Sequence, residues 1–74
     1  MTQNEKILRH LKDNGTIEPM TALREYGIMR LASRISDLKR QGHHIEKRMV
    51  KAQNKYGEQV SYAEYRLLED EEIA

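Results

Sequence analysis

The sequence predicts a small α+β domain: three helices followed by a two-stranded β-hairpin. Three observations carry that expectation. Apolar residues recur at helical spacing as far as Leu38, the period then shortens from about 3.6 to about 2 after Gly42, and the breaks between elements hold Asn-Gly, Pro, Tyr-Gly and Asn-Lys-Tyr-Gly. The 74 residues make one domain at most. A chain of that size buries only about 60% of its unfolded surface, so the core is small.

The first helix begins after Thr2. Thr2 and Glu5 have the T-x-x-E spacing of a capping box, in which hydroxyl and carboxylate each satisfy a backbone N–H. Ile7, Leu8 and Leu11 then form one apolar stripe, and Asn14-Gly15 ends the helix. Thr16-Ile17 reads as an extended link with Ile17 buried. Pro19 suits the first position of a second helix, where no amide donor is needed. Met20, Leu23 and Tyr26 place that helix at about 19–25, and Tyr26-Gly27-Ile28 breaks it. In the third helix Leu31, Ala32, Ile35 and Leu38 fall within one apolar arc of about 120°. Arg30, Ser33, Arg34, Asp37, Arg40 and Gln41 fall on the other side, and Gly42 is the stop. From His43 the alternation sets Ile45, Lys47, Met49 and Lys51 on one face of a strand and Glu46, Arg48, Val50 and Ala52 on the other. Asn54-Lys55-Tyr56-Gly57 is a turn cluster, and Val60 to Leu67 is the returning strand. The expected core is Ile7, Leu8, Leu11, Ile17, Leu23, Ile28, Leu31, Ile35, Leu38, Ile45 and Leu67. Residues 1–68 form the expected domain and 69–74 an acidic, frayed tail.

Composition narrows the chemistry. Apolar residues are 38%, charged residues 34%, and the aromatic residues are four Tyr. The lack of cysteine removes disulfides, thiolate catalysis and cysteine-ligated metal sites. No apolar run approaches the roughly 18–20 residues that span a bilayer. The opening run MTQNEKILRHLKDNG has no signal-peptide h-region. A soluble protein of a reducing compartment is expected, with no membrane partner, no cofactor and no metal. The three histidines make no chelate: His43 and His44 are adjacent on a strand and point to opposite faces. No catalytic triad, phosphate loop or carboxylate pair at catalytic spacing is visible, and the chain is not expected to be an enzyme.

The net charge of +1 conceals a strong asymmetry. Residues 1–29 are neutral. Residues 30–55 carry eight basic and two acidic side chains, net +6, and residues 56–74 are net −5. A basic middle third is the footprint of a polyanion-binding surface, or else an ordinary solvated face.

Two helices joined by a short turn, with a charged outer face on the second, make a helix-turn-helix arrangement, and the hairpin after it is a wing. Ile7 through Leu11, Gly15, Ile17, Pro19, Leu23, Gly27-Ile28, Arg30-Leu31-Ala32, Arg34-Ile35, Leu38, Gly42-His43 and Ile45 together resemble a family of short helix-turn-helix proteins. Its members come mostly from bacteriophages and prophages. The pattern covers about residues 5–46, with Arg30 to Ile35 its most specific piece, and Tyr65-Arg66-Leu67 is similar too. Glu18 departs from it, standing where Ser or Thr is more usual, which predicts a weaker cap on the second helix. The resemblance implies a winged-helix DNA-binding domain.

On that reading the third helix enters a major groove. Arg30, Ser33, Arg34 and Asp37 are then placed for base edges, since arginine can pair bidentately with guanine. Asp37 can instead hold Arg34 or Arg40 at i+3 spacing. Arg40 and Gln41 suit phosphates. Lys47, Arg48, Lys51 and Lys55, with Asn54, line the wing, where cations add affinity and register or simply keep an edge strand soluble. The expected function is sequence-specific binding of double-stranded DNA, as a phage or prophage transcription regulator or an excision or replication accessory factor. The expected place is the cytoplasm of a bacterial cell or phage-infected host. The alternative is a protein–protein interaction module using Tyr56, Tyr62 and the hairpin edge. A homodimer stays open, without a dedicated dimerisation helix.

Overall fold

A computed structural model describes residues 1–68 of the chain. In chain order the elements are α1 (Gln3–Asn14), β1 (Thr16–Ile17), α2 (Pro19–Tyr26), α3 (Leu31–Arg40), β2 (His44–Gln53) and β3 (Gln59–Leu68). The acidic tail expected at 69–74 lies outside the described residues.

Local chemistry sets the element ends. The capping box forms: the Glu5 N–H donates to Thr2 Oγ1 at 3.1 Å, and Glu5 Oε1 accepts from the Thr2 N–H at 2.9 Å. α2 is well capped, against expectation. Glu18 accepts from the N–H groups of Met20 and Thr21 at 2.8 and 2.9 Å, and also from the Thr21 hydroxyl. One extra methylene lets the carboxylate fold back and use both oxygens, as Ser or Thr cannot. Gly27 ends α2 at φ +67°, a left-handed conformation that disfavours any residue with a Cβ. Gly42, at φ +101°, closes α3. There the His43 N–H reaches Leu38 O and the Gly42 N–H reaches Lys39 O, both near 3 Å, which is the Schellman pattern.

The sheet has three strands in the order β1-β3-β2, all antiparallel, where the sequence predicted a two-stranded hairpin. The link Thr16-Ile17 is the third strand, pairing Thr16 with Arg66 and Ile17 with Tyr65. The Leu67 N–H also reaches Gly15 O at 3.2 Å. Two residues carry no readable period, and their partner lies far along the chain. The pairing exists because β3 offers a free edge where the chain leaves α1.

The core is Ile7, Leu11, Ile17, Ala22, Ile28, Leu31, Ile35, Leu38, Ile45, Tyr65 and Leu67. Leu8 is half-buried against it. Leu23, expected inside, is 44% exposed, and Ala22 takes its place. α2 meets the core through Ala22 and Tyr26, spaced i, i+4, and Met20 and Leu23 face out. The smallest apolar side chain of the helix is the one fully buried. Tyr65 joins the core from β3 opposite Lys47.

One face of the hairpin carries Ile45, Tyr65 and Leu67 against the helices, as the alternation predicts. The burial stops short of Met49, which is 54% exposed. A strand of 10 residues spans about 33 Å, whereas α3, also 10 residues, spans about 15 Å. The distal half of the ribbon therefore projects past the helices. No helix among the described residues is long and apolar enough to cross a membrane.

Candidate nucleic-acid interface

α3 presents a different face to solvent from the one its sequence suggests. With Leu31 at zero and about 100° per residue, Leu31, Ile35 and Leu38 lie within about 40° of zero. They are buried. Arg34 and Asp37 lie between about 240° and 300°, and both are half-buried. Ala32, Ser36, Lys39 and Arg40 lie between about 80° and 180°, and all are exposed. Ala32 was expected on the core arc.

The first turn of α1 causes the rotation by covering one flank of α3. Asn4 Nδ2 donates to Asp37 Oδ2 at 3.4 Å, and Arg34 Nη1 makes a long contact with Gln3 Oε1 at 3.5 Å. Asp37 also takes Arg34 Nη2 at 3.2 Å and pairs with Arg40. Both i+3 pairs that the sequence allowed are thus formed, on one carboxylate. Arg34 Nε and Asn4 Oδ1 sit in this clasp without a hydrogen-bond partner.

The other expected site residues divide by element. Arg30 is exposed at the N-cap of α3, with no side-chain hydrogen bond to the helix. It shares a groove of about 280 Å³ with Gln3, Gly27, Met29 and Arg34. Ser33 is half-buried beside the clasp. Gln41 is exposed but lies toward α1, lining a groove with Thr2, Asn4 and Leu8. Lys39 shares a groove of about 450 Å³ with His43 and His44, where α3 hands over to β2.

On the wing, Lys47 and Lys51 stand on the face that carries Ile45 and Leu67, the helix side of the sheet. Arg48 stands on the other face and pairs with Glu64 across the strands at 2.9 Å. Lys55 lies in the turn, its ammonium 5.1 Å from the centre of the Tyr56 ring. Asn54 builds that turn: its Oδ1 accepts from the N–H groups of Tyr56 and Glu58 at 2.9 and 3.0 Å. Away from the interface, His10 Nδ1 meets the Tyr26 hydroxyl at 2.7 Å and ties α1 to α2.

Among the described residues, Arg30, Lys39, Lys47, Lys51 and Lys55 are basic side chains of this region with no ion-pair partner. Ala32, Ser36 and Lys39, which share the exposed arc of α3, are not among the site residues that the sequence suggested. The signal for Lys39 was its place in the basic third of the chain. Ala32 and Ser36 gave none, because small residues are equally at home inside or outside.

A family model described as a winged helix-turn-helix domain matches residues 2–70. No curated protein and no solved structure matches the chain.

Proposed function

The chain belongs to the winged helix-turn-helix domain family, and on that footing we propose that it is a sequence-specific binder of double-stranded DNA. α3 enters the major groove with Ala32, Ser36, Lys39 and Arg40 foremost and Arg30 at its leading end. Lys47, Lys51 and Lys55 follow the phosphates. Arg34 and Asp37, with Ser33 beside them, hold α3 on α1, Gln41 sits at the α1 side, and Arg48 plays a lesser part because Glu64 neutralises it. Residues 1–68 act as the binding domain. The resemblance of the Arg30 to Ile35 segment supports the finer reading of a phage or prophage regulator, or an excision or replication accessory factor.

One observation carries the reading: five unpaired cations are spread over an exposed helix face and the helix-side face and tip of the adjoining wing. If about five phosphates are neutralised, log K falls with log salt at a slope of roughly −4 to −5. Anisotropy titration of a labelled duplex at several salt concentrations tests this. No binding at about 50 mM salt, or a flat response, overturns it.

A second reading rests on the opposite face of the wing. Val50 pairs with Tyr62 and Ala52 with Val60 there, and Val60 and Tyr62 are 43% and 36% exposed. A flat salt response would favour a protein partner at that patch.

A further inference from the structure

We propose that the chain pairs with a second copy of itself through the outer edge of β3, over residues 59–63, about a two-fold axis at Ser61. The association needs no nucleic acid, so it stands or falls separately from the duplex reading above.

The fold leaves that edge open. β2 covers one side of β3 from Gln59 to Leu68, whereas β1 covers the other side only at Tyr65 and Arg66. β1 goes no further because Pro19 starts α2. Among the described residues no strand lies beside 59–63 on the β1 side. The Leu67 N–H points to that side, since it reaches Gly15 O. Backbone groups alternate along a strand, so those of Tyr65, Ala63, Ser61 and Gln59 point there too. Tyr65 meets Ile17, and the other three have no ladder partner there.

Exposed edges are normally guarded by charge, proline or a bulge. The β2 edge is guarded by Glu46, Lys47, Arg48 and Lys51, but the run Gln-Val-Ser-Tyr-Ala at 59–63 carries neither charge nor proline. Its first four residues are exposed.

The run is complementary to itself. In an antiparallel pairing centred on Ser61, Ser61 meets Ser61 of the second copy and Gln59 meets Ala63. The outward groups then answer one another in about six hydrogen bonds. A slip of two residues either way leaves about four, because Tyr65 is taken by β1 and Gly57 lies in the turn. On the outer face Val60 stands against Tyr62 of the second copy, twice, and a β-branched side chain beside an aromatic one is a favourable cross-strand pair. Those two side chains are 43% and 36% exposed in the single chain. Glu58 meets Glu64 at each end, but Glu58 accepts from Asn54 and Glu64 from Arg48.

Charge also selects this edge over the other one. With two β3 strands between them, the two β2 strands stand about 14 Å apart, beyond the screening length at physiological salt. Pairing through β2 would instead bring Lys47, Arg48 and Lys51 of the two copies together. The axis is perpendicular to the sheet, so both copies turn Lys47 and Lys51 to the same side, where a single duplex can meet both.

Five residues a side make a small interface, at the weak end of specific association. Sedimentation equilibrium of the chain without DNA, from about 10 µM to about 1 mM, should show monomer passing to dimer. Ser61→Pro removes the outward N–H at the axis, a change that an edge strand tolerates. It should weaken association by about tenfold or more with the thermal midpoint nearly kept. Met49→Pro makes the same change on the β2 edge, opposite Ala63, and should leave association as it is. A second measurement does not depend on the proline variants folding. The chain has no cysteine, so Ser61→Cys adds a single thiol. Across the axis the two Cα atoms would lie about 5.5 Å apart, within the range that a disulfide spans. Mild oxidation should link Ser61→Cys into a covalent dimer much faster than Met49→Cys. A monomer at every concentration overturns the proposal. So does a dimer that survives Ser61→Pro in a folded chain, or equal crosslinking of the two cysteine variants.

Discussion

α3 and the wing carry similar numbers of cations but hold them by different physics. α3 buries Leu31, Ile35 and Leu38 and has one flank clasped by Gln3 and Asn4, so its solvent arc is fixed by two neighbours. The distal wing is held by its own turn and by cross-strand pairs, and its outer residues bury little on either face. The contrast teaches where discrimination can reside. A helix located by packing can hold a side chain against one base edge, whereas a projecting ribbon suits contacts that tolerate small shifts, as phosphates do.

The widest separation of the two regions should appear in stability. Ile35→Ala is expected to cost about 2–5 kcal/mol in chemical denaturation. Met49→Ala, on the projecting ribbon, should stay within about 0.5 kcal/mol. Similar losses for both would mean that the wing is packed and the contrast is false.

Next in size is the division of DNA contacts. Arg30→Ala should lower binding to a selected duplex by about 1–3 kcal/mol and affect a scrambled duplex less. Lys51→Ala should weaken both complexes alike and make the salt slope shallower by about one unit. Competition titrations decide, and a reversed pattern would exchange the roles of helix and wing.

Asp37→Asn sharpens the comparison from inside α3. It removes an anion shared by Arg34, Arg40 and Asn4. Nonspecific affinity should rise and the salt slope steepen by about one unit. Discrimination between selected and scrambled duplexes should fall, as the clasp on α1 loosens. Glu64→Gln on the wing frees Arg48, and should raise both affinities without loss of discrimination. Equal behaviour of the two variants would show that the clasp does not position the helix.

The smallest effect concerns pH and belongs to the caps. Hydrogen bonds from the Thr21 hydroxyl, then from backbone N–H groups, hold the Glu18 carboxyl below its ordinary pKa, and hydrogen bonds from Thr2 do the same for Glu5. The folded-state pKa lies below the unfolded one, so this stability is present above the unfolded pKa and lost as pH falls through the folded one. Thermal midpoints should decline from about pH 5 toward pH 3. Glu18→Gln should lower the midpoint at neutral pH and flatten part of that decline. An unchanged decline would place the titration elsewhere.

The order of elements was legible in the sequence because its causes are local. The Thr2-Glu5 box, Pro19, Gly27 and Gly42 act within a turn of their own position, and the change of period after Gly42 marks helix giving way to strand. Nine of the eleven core residues were legible too, because a side chain repeating at the period of its element has one consistent side to bury. What failed was whatever depended on a neighbour distant in sequence. β1 became a strand because β3 had a free edge beside it. Ala22 displaced Leu23 because α2 lies on the core with the side that carries Ala22 and Tyr26, which leaves Leu23 facing out. The solvent face of α3 turned by roughly a quarter of a circle because the first turn of α1 covers the flank of Arg34 and Asp37. Periodicity fixes which side of a helix is apolar, but the helix has two remaining flanks of similar polarity. Only the tertiary packing chose which of them another helix would cover and which would stay open to solvent.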